Sequence, residues 1–156
     1  MSYFDPFEQE RYTPYVVETS VGLDRTILML LCDAYYEEEV RGETRKVLGF
    51  HPTMAPYRAA IFPLSKKGGL PEIAHEIEDG LRDHFSVKYD ERGSMGKRYR
   101  RMDEAGTPFC ITVDFDTPDD QKVTVRNRDT MEQDRIAIDT VATYIFDHTR
   151  SWTFDR

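Results

Sequence analysis

The sequence has 156 residues but only two cysteines, one tryptophan and four histidines, and each scarcity excludes something. Cys32 and Cys110 each sit inside an apolar run, "MLLCDAYY" and "PFCITVDF". They are expected as buried free thiols rather than as a disulfide. His51, His75, His84 and His148 are scattered, none at ligand spacing from a cysteine or an acid, so no metal site is expected. No segment approaches the ~18 consecutive apolar residues of a membrane-crossing helix. The opening "MSYFDPFEQE" lacks a basic region followed by an apolar stretch, so no secretory leader is expected, and the compartment is expected to be cytoplasmic. Positive charge is also short: 21 Lys and Arg stand against 29 Asp and Glu, for a net charge of -8. Such a surface repels nucleic acid on average, so a nucleic-acid role must rest on a local basic patch. There is no internal repeat and no low-complexity stretch.

What is present suffices for a folded domain. Apolar residues are 39% and aromatics 12% of a chain long enough to bury a core without staples. Residues 2–20 read as β structure with a turn, "SYFD" and "YTPYVVETS" flanking "PFEQE". Residues 22–36 read as a helix, apolar on nearly every face and therefore expected to be covered on several sides. Residues 37–51, polar and interrupted by Gly42, read as a linker. Beyond it come strand 57–62, an amphipathic helix 70–85 with Ile73, Ile77 and Leu81 as its stripe, and strand 85–90. A helix capped by Ser94 follows, then a central strand 107–116, an antiparallel strand 122–128 and a final helix 137–149. The tail is expected to fray, with Trp152 its one residue able to pack. This order makes an α/β fold: a mixed β-sheet flanked by helices.

Three stretches carry possible chemistry. Lys97, Arg98, Arg100 and Arg101 put four positive charges within five residues, and residues 88–101 hold six basic and two acidic side chains. A basic helix can meet a phosphate backbone; the plainer alternative is a solvated face paired with Asp103 and Glu104. In "VRNRDTMEQ", Arg126, Asn127, Arg128 and Asp129 end a strand, where Arg and Asn can reach base edges; the alternative is a surface turn. In "VVETSVGLDRT", Glu18, Thr19 and Ser20 lead through Gly22 into a helix opening with Leu23, Asp24 and Arg25. A helix N-terminus favours an anion, and Arg25 near it can hold a phosphate or stack on a base. Asp24 as an ordinary first-turn acid is the alternative.

Taken together, "YVVETSVGLDRTILMLLCDAY", "FHPTMAPYRAAIFPLSKKGGLPEIA", "YDERGSMGKRYRRMDEAGTPFCITVDFDT" and "TVRNRDTMEQ" resemble the C-terminal third of the glycyl-tRNA synthetase family. The resemblance runs in order from about residue 2 to residue 147. It implies that residues 1–36 are the C-terminal remnant of a class II catalytic core, with the third signature motif at "GLDR". It further implies that 37–51 is a linker, 52–150 an anticodon-binding domain and 151–156 a tail.

By that resemblance Glu18, Thr19 and Ser20 line a glycine pocket, where a carboxylate can pair with the α-ammonium. Gly22, Leu23, Asp24 and Arg25 belong to an ATP site. Lys97, Arg98, Arg101, Arg126, Asn127, Arg128 and Asp129 would face the anticodon stem-loop of glycine tRNA. The first and second motifs of the class II core cannot be placed before residue 2, so the chain alone is expected neither to make glycyl-adenylate nor to hold a cofactor. ATP with Mg²⁺ belongs to the parent enzyme, which the resemblance makes a homodimer. The expected partners are glycine tRNA and the rest of the core, with no DNA and no membrane. Two other readings stay open: a stand-alone anticodon-domain accessory protein without catalytic activity, and a small domain that binds another protein through its acidic face.

Overall fold

The runs "AAIFP" and "FCITV" become the two central strands because every residue in them is apolar or small enough to be buried on both sides of a sheet. The computed structural model describes residues 2–153. In chain order it contains β1 (Tyr3–Asp5), β2 (Glu10–Tyr12), α1 (Leu23–Ala34), β3 (Tyr35–Val40), β4 (Glu43–Leu48) and β5 (Ala59–Pro63). There follow α2 (Leu70–Arg82), β6 (Val87–Tyr89), α3 (Met95–Ala105), β7 (Phe109–Val113), α4 (Thr117–Asp120), β8 (Lys122–Asn127), β9 (Gln133–Ala137) and α5 (Val141–Arg150). The main sheet has the order β6-β5-β7-β8-β9. β5 pairs in parallel with β6 and β7, and β7, β8 and β9 pair antiparallel.

Side-chain alternation divides the core between two faces. Ala59, Ile61, Phe109, Ile111, Val113, Val123 and Val125 face α2 and α5, which contribute Leu70, Ala74, Ile77, Leu81, Val141 and Ile145. Ala60, Phe62 and Cys110 face α3, which contributes Met102 and, half-buried, Met95 and Tyr99. The period of 3.6 in "LPEIAHEIEDGL" puts Leu70, Ala74, Ile77 and Leu81 on one stripe, and Pro71 sits in the first turn, where its missing N–H costs nothing. The leucine and isoleucine side chains of this stripe each contribute roughly 1.5–3 kcal/mol by burial, and Ala74 less. α3 ends at Gly106, whose φ of 77° is left-handed; a Cβ there would lie 2.6 Å from Phe50 Cδ2 and 2.8 Å from the Leu48 carbonyl.

Four expectations are corrected. Residues 37–51 are not an extended linker: β3 and β4 form an antiparallel hairpin. Its two-residue turn is Arg41-Gly42, with φ of 54° and 79°, the signature of the tight turns that suit strand twist. The run is polar because the hairpin is held by cross-strand charge pairs, Glu37 opposite Lys46 and Glu38 opposite Arg45. α1 is not covered on several sides either: Ile27, Leu28, Met29 and Leu31 are exposed and only Ala34 is buried. Cys32, on the same helix, is exposed rather than buried, whereas Cys110 is buried. Finally, "YTPYVVETS" contributes only Tyr12 to a strand; β1 and β2 pair with each other and 13–22 carries no regular structure. A strand needs a partner ladder, and nothing among the described residues supplies one there.

β9 had no counterpart in the sequence reading. "QDRIA" is a polar edge strand, tied to the fold by Arg135, which bridges Asp114 and Asp120. Trp152 does pack, its ring edge-on to His51 with centroids 4.8 Å apart and its Nε1 donating to Asp129 Oδ2 at 3.0 Å.

Candidate nucleic-acid interface

The two basic stretches lie at opposite ends of the sheet. The Arg98 guanidinium donates to the Pro63 carbonyl at the C-terminal end of β5. The Arg128 N–H donates to the Pro108 carbonyl, just before β7 begins. α3 spans the distance between them, with Lys97 and Arg98 near its start and Asp103 near its end.

Within these stretches, most of the expected base-reading arginines point inward. Arg98 is buried and donates to the carbonyls of Pro63 at 2.6 Å, Gly93 at 3.0 Å and Glu91 at 3.1 Å, closing the loop that leads into α3. Arg126 is buried, donates to both carboxylate oxygens of Asp103 at 3.0 and 3.3 Å, and lies over the Tyr99 ring at 5.0 Å. Arg128, 1% exposed, donates to the carbonyls of Gly106 at 2.8 Å, Phe50 at 2.9 Å and Leu48 at 3.2 Å, and chelates Asp129. These three are tethers between chain segments, because a buried guanidinium must satisfy its donors inside the protein.

The centre of this network is Asp103. Arg45, on β4, donates through Nε to Asp103 Oδ2 at 2.8 Å, through Nη2 to the Arg128 carbonyl at 2.7 Å, and through Nη1 to Glu38. Burial opposes the Arg45 charge, but hydrogen bonds and charge attraction from Asp103 and Glu38 outweigh it and hold the guanidinium above its ordinary value. The hairpin is thereby clamped to α3 and to the end of β8. Sequence reasoning took Arg45 as part of a linker. An Arg opposite a Glu on alternating strands was the only signal available.

The remaining predicted residues are accessible. Lys97 is exposed and makes no ion pair among the described residues. Arg101 is exposed but donates to the Arg92 carbonyl at 2.9 Å and pairs with the buried Asp90 at 3.3 Å. Arg92, not among the predicted site residues, is exposed in the turn ahead of α3. Asn127 shapes the turn after β8: its Oδ1 accepts from the Asp129 and Thr130 N–H groups at 2.7 and 3.3 Å. Asp129 is exposed at the same turn, held by Arg128 and Trp152.

Glu18, Thr19 and Ser20 are exposed on the irregular segment. Gly22 caps α1, its carbonyl accepting from the Thr26 N–H at 3.0 Å, and Leu23, Asp24 and Arg25 are exposed in the first turn. Arg25 makes no ion pair among the described residues, so its guanidinium is available to an anion.

Residues 58–148, from the start of β5 almost to the end of α5, match the family described as Anticodon binding domain. The chain belongs to the anticodon-binding-domain family. Its relatives extend the match beyond those residues. It is 58% identical over 145 residues to a glycine–tRNA ligase of Caldanaerobacter subterraneus subsp. tengcongensis, covering 93% of this chain and 31% of that protein. It is 58% identical over 137 residues to a glycine–tRNA ligase of Bacillus cereus, covering 88% of this chain and 30% of the other. With a glycine–tRNA ligase of Clostridium perfringens it shares 55% over 150 residues, 93% of this chain and 32% of that one. The chain thus spans about a third of the length of these relatives. Among solved structures, prolyl-tRNA synthetase from Cryptosporidium parvum, complexed with halofuginone and AMPPNP, superposes with a TM-score of 0.62 at 25% identity. That match covers 66% of this chain and 22% of that one. The anticodon-binding domain therefore accounts for the mixed sheet and its flanking helices.

Proposed function

We propose that the chain is the C-terminal, anticodon-binding part of a glycyl-tRNA synthetase and that it holds the anticodon stem-loop of glycine tRNA. The observation that carries this reading is the match of 58–148 to the anticodon-binding family within a chain 58% identical to glycine–tRNA ligases. The parent enzyme would join glycine to tRNA with ATP and Mg²⁺ in the cytoplasm, dimerising through its core. Relatives of which the chain spans about a third favour this over a stand-alone accessory protein.

In this reading the two ends of the sheet do different work. Lys97 and Arg92, exposed at one end of the sheet, supply phosphate contacts, and Arg101 adds charge beside them. The Asn127–Asp129 turn at the other end approaches the loop bases, with Arg126 and Arg128 holding that turn in place. Glu18, Thr19 and Ser20 reach glycine, and Arg25 reaches ATP, only when the rest of the core encloses them. The exposure of all four in this chain supports that division.

The test is a salt titration of binding between this chain and glycine tRNA, compared with the same tRNA carrying a changed anticodon. Binding that weakens as salt rises and that favours the native anticodon is expected. Equal affinity for both would remove the anticodon role, and no binding at ~50 mM salt would remove the RNA role.

A further inference from the structure

Trp152, the one tryptophan in the sequence, lines two pockets at once. The first, about 540 Å³, lies against the Asn127–Asp129 turn; the second, about 220 Å³, is lined by Leu30, Asp33 and Ala34 of α1 together with His51. Toward the turn, the indole Nε1–H donates to Asp129 Oδ2 at 3.0 Å. Toward α1, the ring meets His51 edge-on with centroids 4.8 Å apart. From this double attachment we infer that Trp152 is a strap: RNA bound at the Asp129 turn displaces the indole, and α1, whose first turn carries Arg25, changes direction in response. This rests on the anticodon-binding reading and concerns what binding does to α1, not which base is bound.

The turn end of the strap is fixed. Arg128, 1% exposed, donates to both Asp129 oxygens, at 2.7 and 2.9 Å, so the carboxylate cannot follow the indole. Oδ2 serves both Arg128 and Trp152, and it is the atom that an amine or 2′-hydroxyl of RNA entering the turn would claim. The Arg128 guanidinium is buried and bound to three carbonyls, so the indole is the donor that gives way. An indole N–H only donates, so once displaced it needs another acceptor, and the ring turns away from His51 to reach one.

The helix end is held at one joint. Ala34 is the buried residue of α1, and its carbonyl accepts from the Gly49 N–H at 2.7 Å. A Cβ at Gly49 would lie 2.9 Å from the Tyr36 ring, so the joint is tight at the end of β4. Ile27, Leu28 and Met29, earlier in the helix, are exposed. A helix fixed at its last turn pivots there, and its direction depends on the pocket that Leu30 and Asp33 share with His51 and Trp152. His51 is itself steady, its Nδ1 accepting from the Thr53 N–H at 3.2 Å. Loss of the indole opens that pocket, and the displacement grows with distance from the joint; Arg25 lies roughly 13 Å along the helix from it.

The test uses the 156-residue chain, isotope-labelled for NMR, and an RNA hairpin carrying the anticodon loop of glycine tRNA. In the wild type the hairpin should move the amide signals of 127–130 and of 23–34, together with the Trp152 indole signal. Trp152→Phe keeps an aromatic ring beside His51 and lacks the N–H. In that variant the hairpin should still move the 127–130 signals but leave those of α1 in place. It should also bind about fivefold more tightly, because the donor competing for Asp129 is gone. A merely structural Trp152 would give weaker binding instead, and that result overturns the strap. If the α1 signals move as far in the variant as in the wild type, or move in neither, the strap falls while binding at the turn stands. If the hairpin leaves 127–130 unmoved in the wild type, the anticodon-binding reading of the turn falls and the strap with it.

Discussion

Arg45 and Asp103, 58 positions apart, meet through a 2.8 Å hydrogen bond with each side chain 2% exposed. A short hairpin is thereby clamped onto the anticodon-binding domain. Asp103 also receives both Nη groups of Arg126, so one carboxylate serves two guanidinium groups. Asp103→Ala would leave the buried Arg126 without an acidic partner and the buried Arg45 with Glu38 alone. We expect it to destabilise the chain by about 3–5 kcal/mol, the usual cost of breaking a buried pair from one side. Urea unfolding followed by far-UV circular dichroism measures this; a loss under 1 kcal/mol would refute the clamp.

Arg126 and Lys97 should separate structure from binding. Arg126→Ala is expected to lower the urea midpoint, because it removes two bonds to Asp103 and the contact with Tyr99. Lys97→Ala should leave the midpoint unchanged and reduce the salt slope of tRNA binding by about one. The reverse pattern would return Arg126 to the RNA surface.

The two thiols should differ sharply. Burial pushes the Cys110 thiol well above its ordinary value and closes it to solvent. Cys32 lies exposed on α1. Titration with a chromogenic disulfide at neutral pH should release one equivalent quickly and the second only in denaturant. Two fast equivalents in the native state would contradict the buried position of Cys110.

Acid should weaken the β8–β9 edge. Hydrogen bonds from Arg135 hold the Asp114 and Asp120 carboxyls below their ordinary value. A lowered carboxylate contributes stability that is complete above its unfolded value, near ~3.9, and is lost as pH falls through the folded value. The contribution should therefore be full at neutral pH, begin to fall below about pH 4 and be gone only once pH lies under the lowered folded values. In Arg135→Met the two carboxyls, followed by NMR, should titrate closer to ~3.9; unchanged values would rule out Arg135 as the cause.

The apolar face of α1 should be adhesive. Ile27 and Leu31 are exposed on one face with Leu28 and Met29 exposed around the helix from them, and exposed apolar surface of this kind marks a contact site. The chain should bind a hydrophobic dye and self-associate at high concentration, and Leu28→Glu should reduce both without lowering the thermal midpoint. A monomer with no dye binding would argue against this face as a contact surface.

The sequence by itself determined four of the five strands of the main sheet, β5 to β8, with the helices α2, α3 and α5, and the family. The central strands and α2 are written in local periodicity, which survives because those residues are buried whatever else surrounds them. The long motifs likewise identify a glycyl-tRNA synthetase relative without any geometry. The sequence did not determine which charges face solvent. Arg98, Arg126 and Arg128 read as a basic surface because a charge run gives no sign of the carbonyls and carboxylate it will meet, and those acceptors lie on distant segments. Nor did it separate the β3–β4 hairpin from a linker, since that hairpin is stabilised by ion pairs instead of an apolar stripe. Only the tertiary structure decided these points, because hydrogen-bond partners are chosen by proximity in space, and Arg45 and Asp103, 58 positions apart, are neighbours only in the folded chain.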